Sequence, residues 1–124
     1  MGAWGVGIFE DDVACDARDA MLDQFRAGLS VKVATDAVLE NLADFLADED
    51  DAPVVVLALA AVQWEVGRLD KRIKARALKV IAGGVDFCWQ DSEFAEQRRA
   101  VLTELKARLA APPPPAVPVD RLPE

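Results

Sequence analysis

The sequence predicts an all-α protein, a compact bundle of about five helices with a glycine-rich segment before it and a disordered, proline-rich tail after it. Three observations lead there. Apolar residues recur at three- and four-residue spacing through most of the chain. No segment sustains the two-residue alternation of a half-buried strand. Glycine and proline fall between the periodic stretches rather than inside them, except where proline can open a helix.

The first helix is expected to begin after Asp11 or Asp12, where a carboxylate can accept from the free amides of the first turn, and to end near Gly28. Ala14, Ala17, Met21 and Phe25 share one of its faces. The second should start after Ser30 and run to about Ala47, burying Val31, Ala34, Val38, Leu42, Phe45 and Leu46. Asp51 followed by Pro53 reads as a cap with proline in the first turn, opening a third helix from about Ala52 to Val66. This helix is apolar all round through Val62, which puts it at the centre. After a break at Gly67 to Asp70, a fourth helix runs from Lys71 to Ala82 and carries Ile73, Ala77, Val80 and Ile81 inward, until Gly83 and Gly84 stop it. Val85, Phe87 and Trp89 lie among turn signals. Asp91 or Ser92 then caps a last helix with Phe94, Val101, Leu102, Leu105 and Leu109 in its stripe, ending near Ala111.

With 52% hydrophobic residues in 124, the chain can bury one core but not two independent ones, so residues 1–111 are expected to form a single helical domain. Residues 112–124 hold all but one of the prolines and little apolar mass, and are expected to be an extended, flexible tail outside the core. The longest apolar run, Val54 to Val62, is far short of the ~20 residues that cross a bilayer, and no basic segment precedes an apolar stretch at the N-terminus. Gly2 does not read as a myristoylation site, because the hydroxyl residue wanted four positions further on is Val6. A cytoplasmic location is the expectation. Cys15 and Cys88 lie far apart in half-buried segments and read as reduced core residues, and with no histidine in the chain a zinc site lacks its usual ligands.

Charge is unevenly spread. Residues 1–52 hold thirteen acids against three bases and residues 53–124 hold nine against eleven, so the net charge of −8 joins a half near −10 to one near +2. Asp12, Asp16, Asp19 and Asp23 fall within a narrow arc of the first helix, opposite its apolar stripe, and Asp36, Glu40, Asp44 and Asp48 repeat the arrangement on the second. Six like-charge pairs at this spacing would cost roughly 1–3 kcal/mol before screening. Two readings stand: a solvated face that keeps the chain soluble, and a surface for a basic partner. The spacing of the acids has no EF-hand pattern. The basic cluster Arg68, Lys71, Arg72, Lys74, Arg76 and Lys79 lacks interleaved aromatics and sits in an acidic chain, so it is expected to pair with neighbouring acids or face water rather than bind nucleic acid.

The catalytic inventory is thin. There is no His or Tyr, the hydroxyls are Ser30, Thr35, Ser92 and Thr103, and the two serines are better explained as caps. Gly2, Gly5 and Gly7 have the wrong spacing for a phosphate-cradling loop and no strand precedes them.

The opening Met1-Gly2-Ala3-Trp4-Gly5-Val6-Gly7-Ile8-Phe9-Glu10-Asp11-Asp12 closely resembles that of a bacterial domain-of-unknown-function family. Its members begin Met-Gly-Ala-Trp-Gly, then a residue, Gly, a residue and Phe, followed by two or three Asp, Asn or Glu residues. The resemblance continues at Ala58-Leu59-Ala60-Ala61-Val62-Gln63-Trp64-Glu65-Val66-Gly67-Arg68-Leu69, at Ala77-Leu78 with Gly83-Gly84, and in the last helix, spanning about residues 1–111. It implies a helical fold and no established activity, and gives weight to Trp4, Gly5, Gly7, Phe9, Trp64, Gly67 and Arg68. In physical terms these are expected to be structural: glycines permit positive φ or close approach, and Trp4 and Phe9 plug the edge of the core. A groove lined by Trp4, Trp64 and Arg68 is the sharper alternative.

The leading functional expectation is a small acidic protein-interaction module of the immunity or inhibitor kind. Asp12, Asp16, Asp19 and Asp23 with Asp36, Glu40 and Asp44 would cover a basic protein partner, with no cofactor, no metal, no direct nucleic acid and no catalytic residue. The alternatives are a metal-binding or enzymatic domain using Glu10, Asp11 and Asp12, and a structural module that oligomerises through its helices.

Overall fold

A computed structural model describes residues 4–86 and 89–123. Among these residues six α-helices follow in order: α1 Asp12–Arg26, α2 Val31–Asn41, α3 Ala43–Leu46, α4 Asp51–Glu65, α5 Lys71–Ala82 and α6 Ala95–Ala110. A short 3₁₀ turn, Val119–Arg121, lies in the tail, and the described residues contain no strand.

The fold is built around α4. Every residue from Val54 to Gln63 is buried, as its all-round apolar sequence requires. Against it pack α1 through Ala14, Ala17, Met21, Leu22 and Phe25, α5 through Ile73, Ala77 and Ile81, and α6 through Leu102, Leu105 and Leu109, while α2, with Ala34 and Val38 buried, packs chiefly on α1. The helix ends follow local rules. Asp11 accepts from the amides of Val13 at 2.8 Å and Ala14 at 3.1 Å, Ser30 Oγ accepts from Val33, and Asp70 accepts from Arg72. Both α1 and α4 close in Schellman turns on a left-handed glycine. Gly28 has φ 83° and Gly67 φ 71°, with Leu29 donating to Gln24 and Arg68 to Gln63.

The structure departs from the expected boundaries at four places. The second helix is not continuous to Ala47: it ends at Asn41, and Leu42 at ψ 19° bends the chain so that α3 turns onto α4 while Leu42 itself stays buried. The start of α4 is capped by Asp48, whose carboxylate accepts from Asp50 at 2.8 Å and Asp51 at 3.2 Å, and Asp51 lies within the first turn. In the last helix Ser92 Oγ accepts from Phe94, but the regular turns begin at Ala95 and Phe94 is 49% exposed rather than part of the stripe. Its place on the inward face is taken by Arg98.

The fourth departure is the tail. Its backbone is extended, as the prolines dictate, yet it lies against the bundle and adds to the core. Val117 donates to the Val66 carbonyl at 3.0 Å, and Leu122 joins the main hydrophobic cluster at 7% exposure. Six prolines exclude a helix, but they also lower the entropy lost when the segment docks, so low apolar content did not prevent one leucine from anchoring it.

No helix among the described residues is long and apolar enough to cross a membrane.

Candidate interaction surface

The acidic face of α1 is open. Asp12, Asp16, Asp19 and Asp23 are all exposed, on the side away from Ala14, Ala17 and Met21. Asp19 lies 3.7 Å from Arg18 and Asp23 accepts from Arg26 at 2.9 Å, both loose surface pairs. The side chains of Asp12 and Asp16 make no ion pair with another described residue.

The acids of the second region are divided by the bend. Asp36 is held between Lys32 at 3.0 Å and Arg72 at 2.8 Å. Those two bonds, Lys32 first, hold its carboxyl below the usual range. Glu40 stays exposed on α2, Asp44 is exposed on the separate α3, and Asp48 is spent as the cap of α4. The expected second stripe is therefore divided among α2, α3 and the cap of α4. Asp70 completes the link between α2 and α5: Arg72 bonds both of its oxygens and lowers its pKa, while burial opposes. Asp51 shifts the other way, raised by burial and then by Asp48, Asp11 and Asp50. Within the basic cluster, Arg76 and Lys79 border a cleft of about 350 Å³ floored by Ala52, Pro53, Val56 and Val80.

Glu10 and Asp11, the centre of the metal-binding alternative, are committed to the backbone. Glu10 accepts from the Gly7 amide at 3.1 Å, its carbonyl accepts from Trp4, and Asp11 caps α1. No group of three or more acids or cysteines among the described residues is placed to hold a metal ion.

The motif residues divide into two clusters. At the N-terminal segment, the Glu10 carboxylate folds so closely over Gly5 and Gly7 that a side chain on either would collide with it. Neither glycine has positive φ, and the group in the way is the end of an exposed, flexible side chain that can shift aside. Cys15 Sγ donates to the Phe9 carbonyl at 3.1 Å, and the Arg18 guanidinium lies 5.9 Å from the Phe9 ring centre. Phe9 is half-buried against the core as expected, but Trp4 is 60% exposed and does not plug it. Residues 1–3, with Phe87 and Cys88, lie outside the described residues.

The second cluster is at the far end of α4. Trp64 is half-buried against the core, with its Nε1 shut off from solvent and lacking an acceptor among the described residues. Arg68 stacks 5.6 Å from the Phe25 ring centre and donates to the Val117 carbonyl at 2.6 Å. The tail runs directly over Gly67, where a Cβ would come within 2.6 Å of the Pro115 carbonyl oxygen. Arg68 thus faces the tail, whereas Trp4 is bonded into the loop around Glu10.

Two buried polar groups were missed in the sequence. Arg98, 2% exposed, makes a two-point bond to the buried Asp86 at 2.9 and 3.0 Å, donates to the Val6 carbonyl at 2.9 Å and lies 5.3 Å from the Trp89 ring centre. It pins the N-terminal segment and the α5–α6 connection to α6. Gln63, fully buried in α4, donates to Thr35 Oγ1 at 2.9 Å and the Met21 sulfur at 3.3 Å, and accepts from the Asp70 amide at 3.0 Å. Each carried a weak signal. Arg98 is four residues before Leu102 on the inward face, and Gln63 is a polar residue in an apolar helix, where burial demands partners.

No curated protein and no solved structure matches this chain. The family described as Domain of unknown function (DUF4259) matches residues 2–107, which takes in the N-terminal loop, α1 to α5 and most of α6. By that match across most of its length, the chain belongs to the DUF4259 family.

Proposed function

We propose that the protein is an acidic interaction module of the immunity or inhibitor type, acting in the cytoplasm, and that the outer face of α1 is its docking surface for a basic protein. The observation that carries the reading is the row Asp12, Asp16, Asp19 and Asp23: all four are exposed, and the first two have no ionic partner among the described residues. Like charges at this spacing repel, so the row costs α1 stability that a cationic surface would return on binding. Glu40 and Asp44 extend the negative field on neighbouring elements, while Asp36 contributes less because Lys32 and Arg72 already neutralise it.

The test is capture from native lysate at low and moderate salt, comparing the parent with a variant in which Asp12, Asp16, Asp19 and Asp23 are all changed to Asn. The expected result is a basic protein held by the parent, released by moderate salt and absent with the variant. Capture of the same proteins by both would assign the charge to solubility alone.

A further inference from the structure

The tail is held mainly through its backbone. Val117 donates to Val66 at 3.0 Å, Arg68 donates to the Val117 carbonyl at 2.6 Å, and Arg26 donates to the Pro123 carbonyl. Among the described residues Leu122 is the tail's buried side chain, and Val117 is half-buried against the core. Polyproline-type dihedrals stand on either side of the 3₁₀ turn Val119–Arg121, with φ −56° and ψ 146° at Pro118 and φ −61° and ψ 144° at Leu122. Gly67 supplies the close approach that lets Pro114 and Pro115 cross the end of α4. Main-chain bonds for affinity and one or two pockets for selectivity are how grooves recognise extended peptides. The groove residues Phe25, Arg26, Val66, Gly67 and Arg68 lie inside the family match, whereas the tail lies wholly beyond its end at residue 107.

We propose that the groove between the C-terminal ends of α1 and α4 is a recognition surface for extended, proline-rich segments with a leucine anchor. The protein's own tail is its resident ligand in cis, and a partner segment of the same chemistry displaces it. This is independent of the acidic face of α1. A tether this short gives the tail an effective concentration of about 1 mM, so a groove closed about nine-tenths of the time requires an intrinsic Kd near 0.1 mM or tighter. A competitor in trans then sees an affinity about tenfold weaker than the open groove offers.

The experiment titrates a fluorescein-labelled peptide of residues 112–124 into the full chain and into Leu122→Ala, which frees the tail and leaves the groove intact. Val117→Pro, which removes the amide bonded to Val66 and replaces the half-buried valine side chain, provides a second opening in case Leu122→Ala does not fold. The opened variants are expected to bind about tenfold more tightly than the parent, and adding Arg68→Gln should weaken that binding at least tenfold. A peptide with the Leu122→Ala change should not bind. Equal binding by parent and opened variants, indifference to the peptide's leucine, or no binding by any folded variant would overturn the proposal and leave the tail as a fixed part of the fold.

Discussion

Arg98 and Asp86 form the most deeply buried ion pair among the described residues, at 3% and 0% side-chain exposure. Removing one partner of such a pair leaves an uncompensated charge, so Arg98→Ala is expected to cost about 3–5 kcal/mol in urea unfolding. Replacing both by apolar residues, Asp86→Leu with Arg98→Met, should restore much of that loss. If Arg98→Ala costs under about 1 kcal/mol, the pair is not what holds the N-terminal segment. Gly67 is a second point where one residue carries much of the geometry. Gly67→Ala incurs about 1–2 kcal/mol from its left-handed backbone and should in addition release the tail, detected as faster hydrogen exchange at the Val117 amide. Gly5 and Gly7 stood out in the sequence, but that the Glu10 carboxylate lies over both depends on a side-chain position that spacing does not encode.

At the element scale, the α3–α4 junction separates two readings of the same acidic run. Asp48 accepts from two amides at the start of α4, so Asp48→Ala should cost about 1 kcal/mol, whereas Asp51→Asn should not destabilise. The pH dependence of each has a definite sign. The pKa of Asp51 is raised in the fold above the ordinary 3.8, so its ionised form is disfavoured there and Asp51→Asn should raise the melting temperature at pH 7 but not at pH 3. For Asp70 the pKa is lowered, chiefly by the Arg72 hydrogen bond, so its stabilisation is present above pH 3.8 and is lost as pH falls through the lower folded value. Asp70→Asn should therefore lower the melting temperature at pH 7, by a margin that shrinks as the pH falls below 3.8. A loss that does not shrink would show that the amide cap, not the charge, does the holding. The bend at Leu42 was not legible, because the apolar stripe continues across it; packing of α3 on α4 outweighs an uninterrupted pattern.

At the scale of the molecule, the charge is arranged in a polar fashion: α1 and the α3–α4 junction carry the surplus acids, α5 carries exposed bases, and Asp36 with Arg72 ties α2 to α5 where the two regions meet. Self-repulsion in the first half predicts that added salt stabilises the protein. The melting temperature should rise between about 10 mM and 200 mM NaCl, and the rise should shrink when Asp12, Asp16, Asp19 and Asp23 are changed to Asn. An unchanged salt response would mean that Arg18, Arg26 and solvent already screen the face. The central network points the same way for cohesion. Gln63 joins α4 to α1, α2 and the start of α5, so Gln63→Ala should cost about 2–4 kcal/mol through cavity formation and unpaired partners, read as one cooperative transition at lower urea.

The sequence by itself determined the helical class, the central place of α4, the glycine and carboxylate signals at the ends of α1 and α5, and the row of acids on α1. These are local properties: periodicity, capping chemistry and the fixed 3.6-residue turn decide them within a few residues of the chain. Only the tertiary structure decided that Asp36 faces Arg72, that Arg98 pairs with Asp86, that Gln63 has partners on three elements, and that a proline-rich tail closes over Gly67 with Leu122 in the core. Those contacts join residues distant in sequence, and each is settled by which buried polar group finds a partner and which apolar side chain finds a vacant place in the packing. Composition counts such residues without saying where they meet.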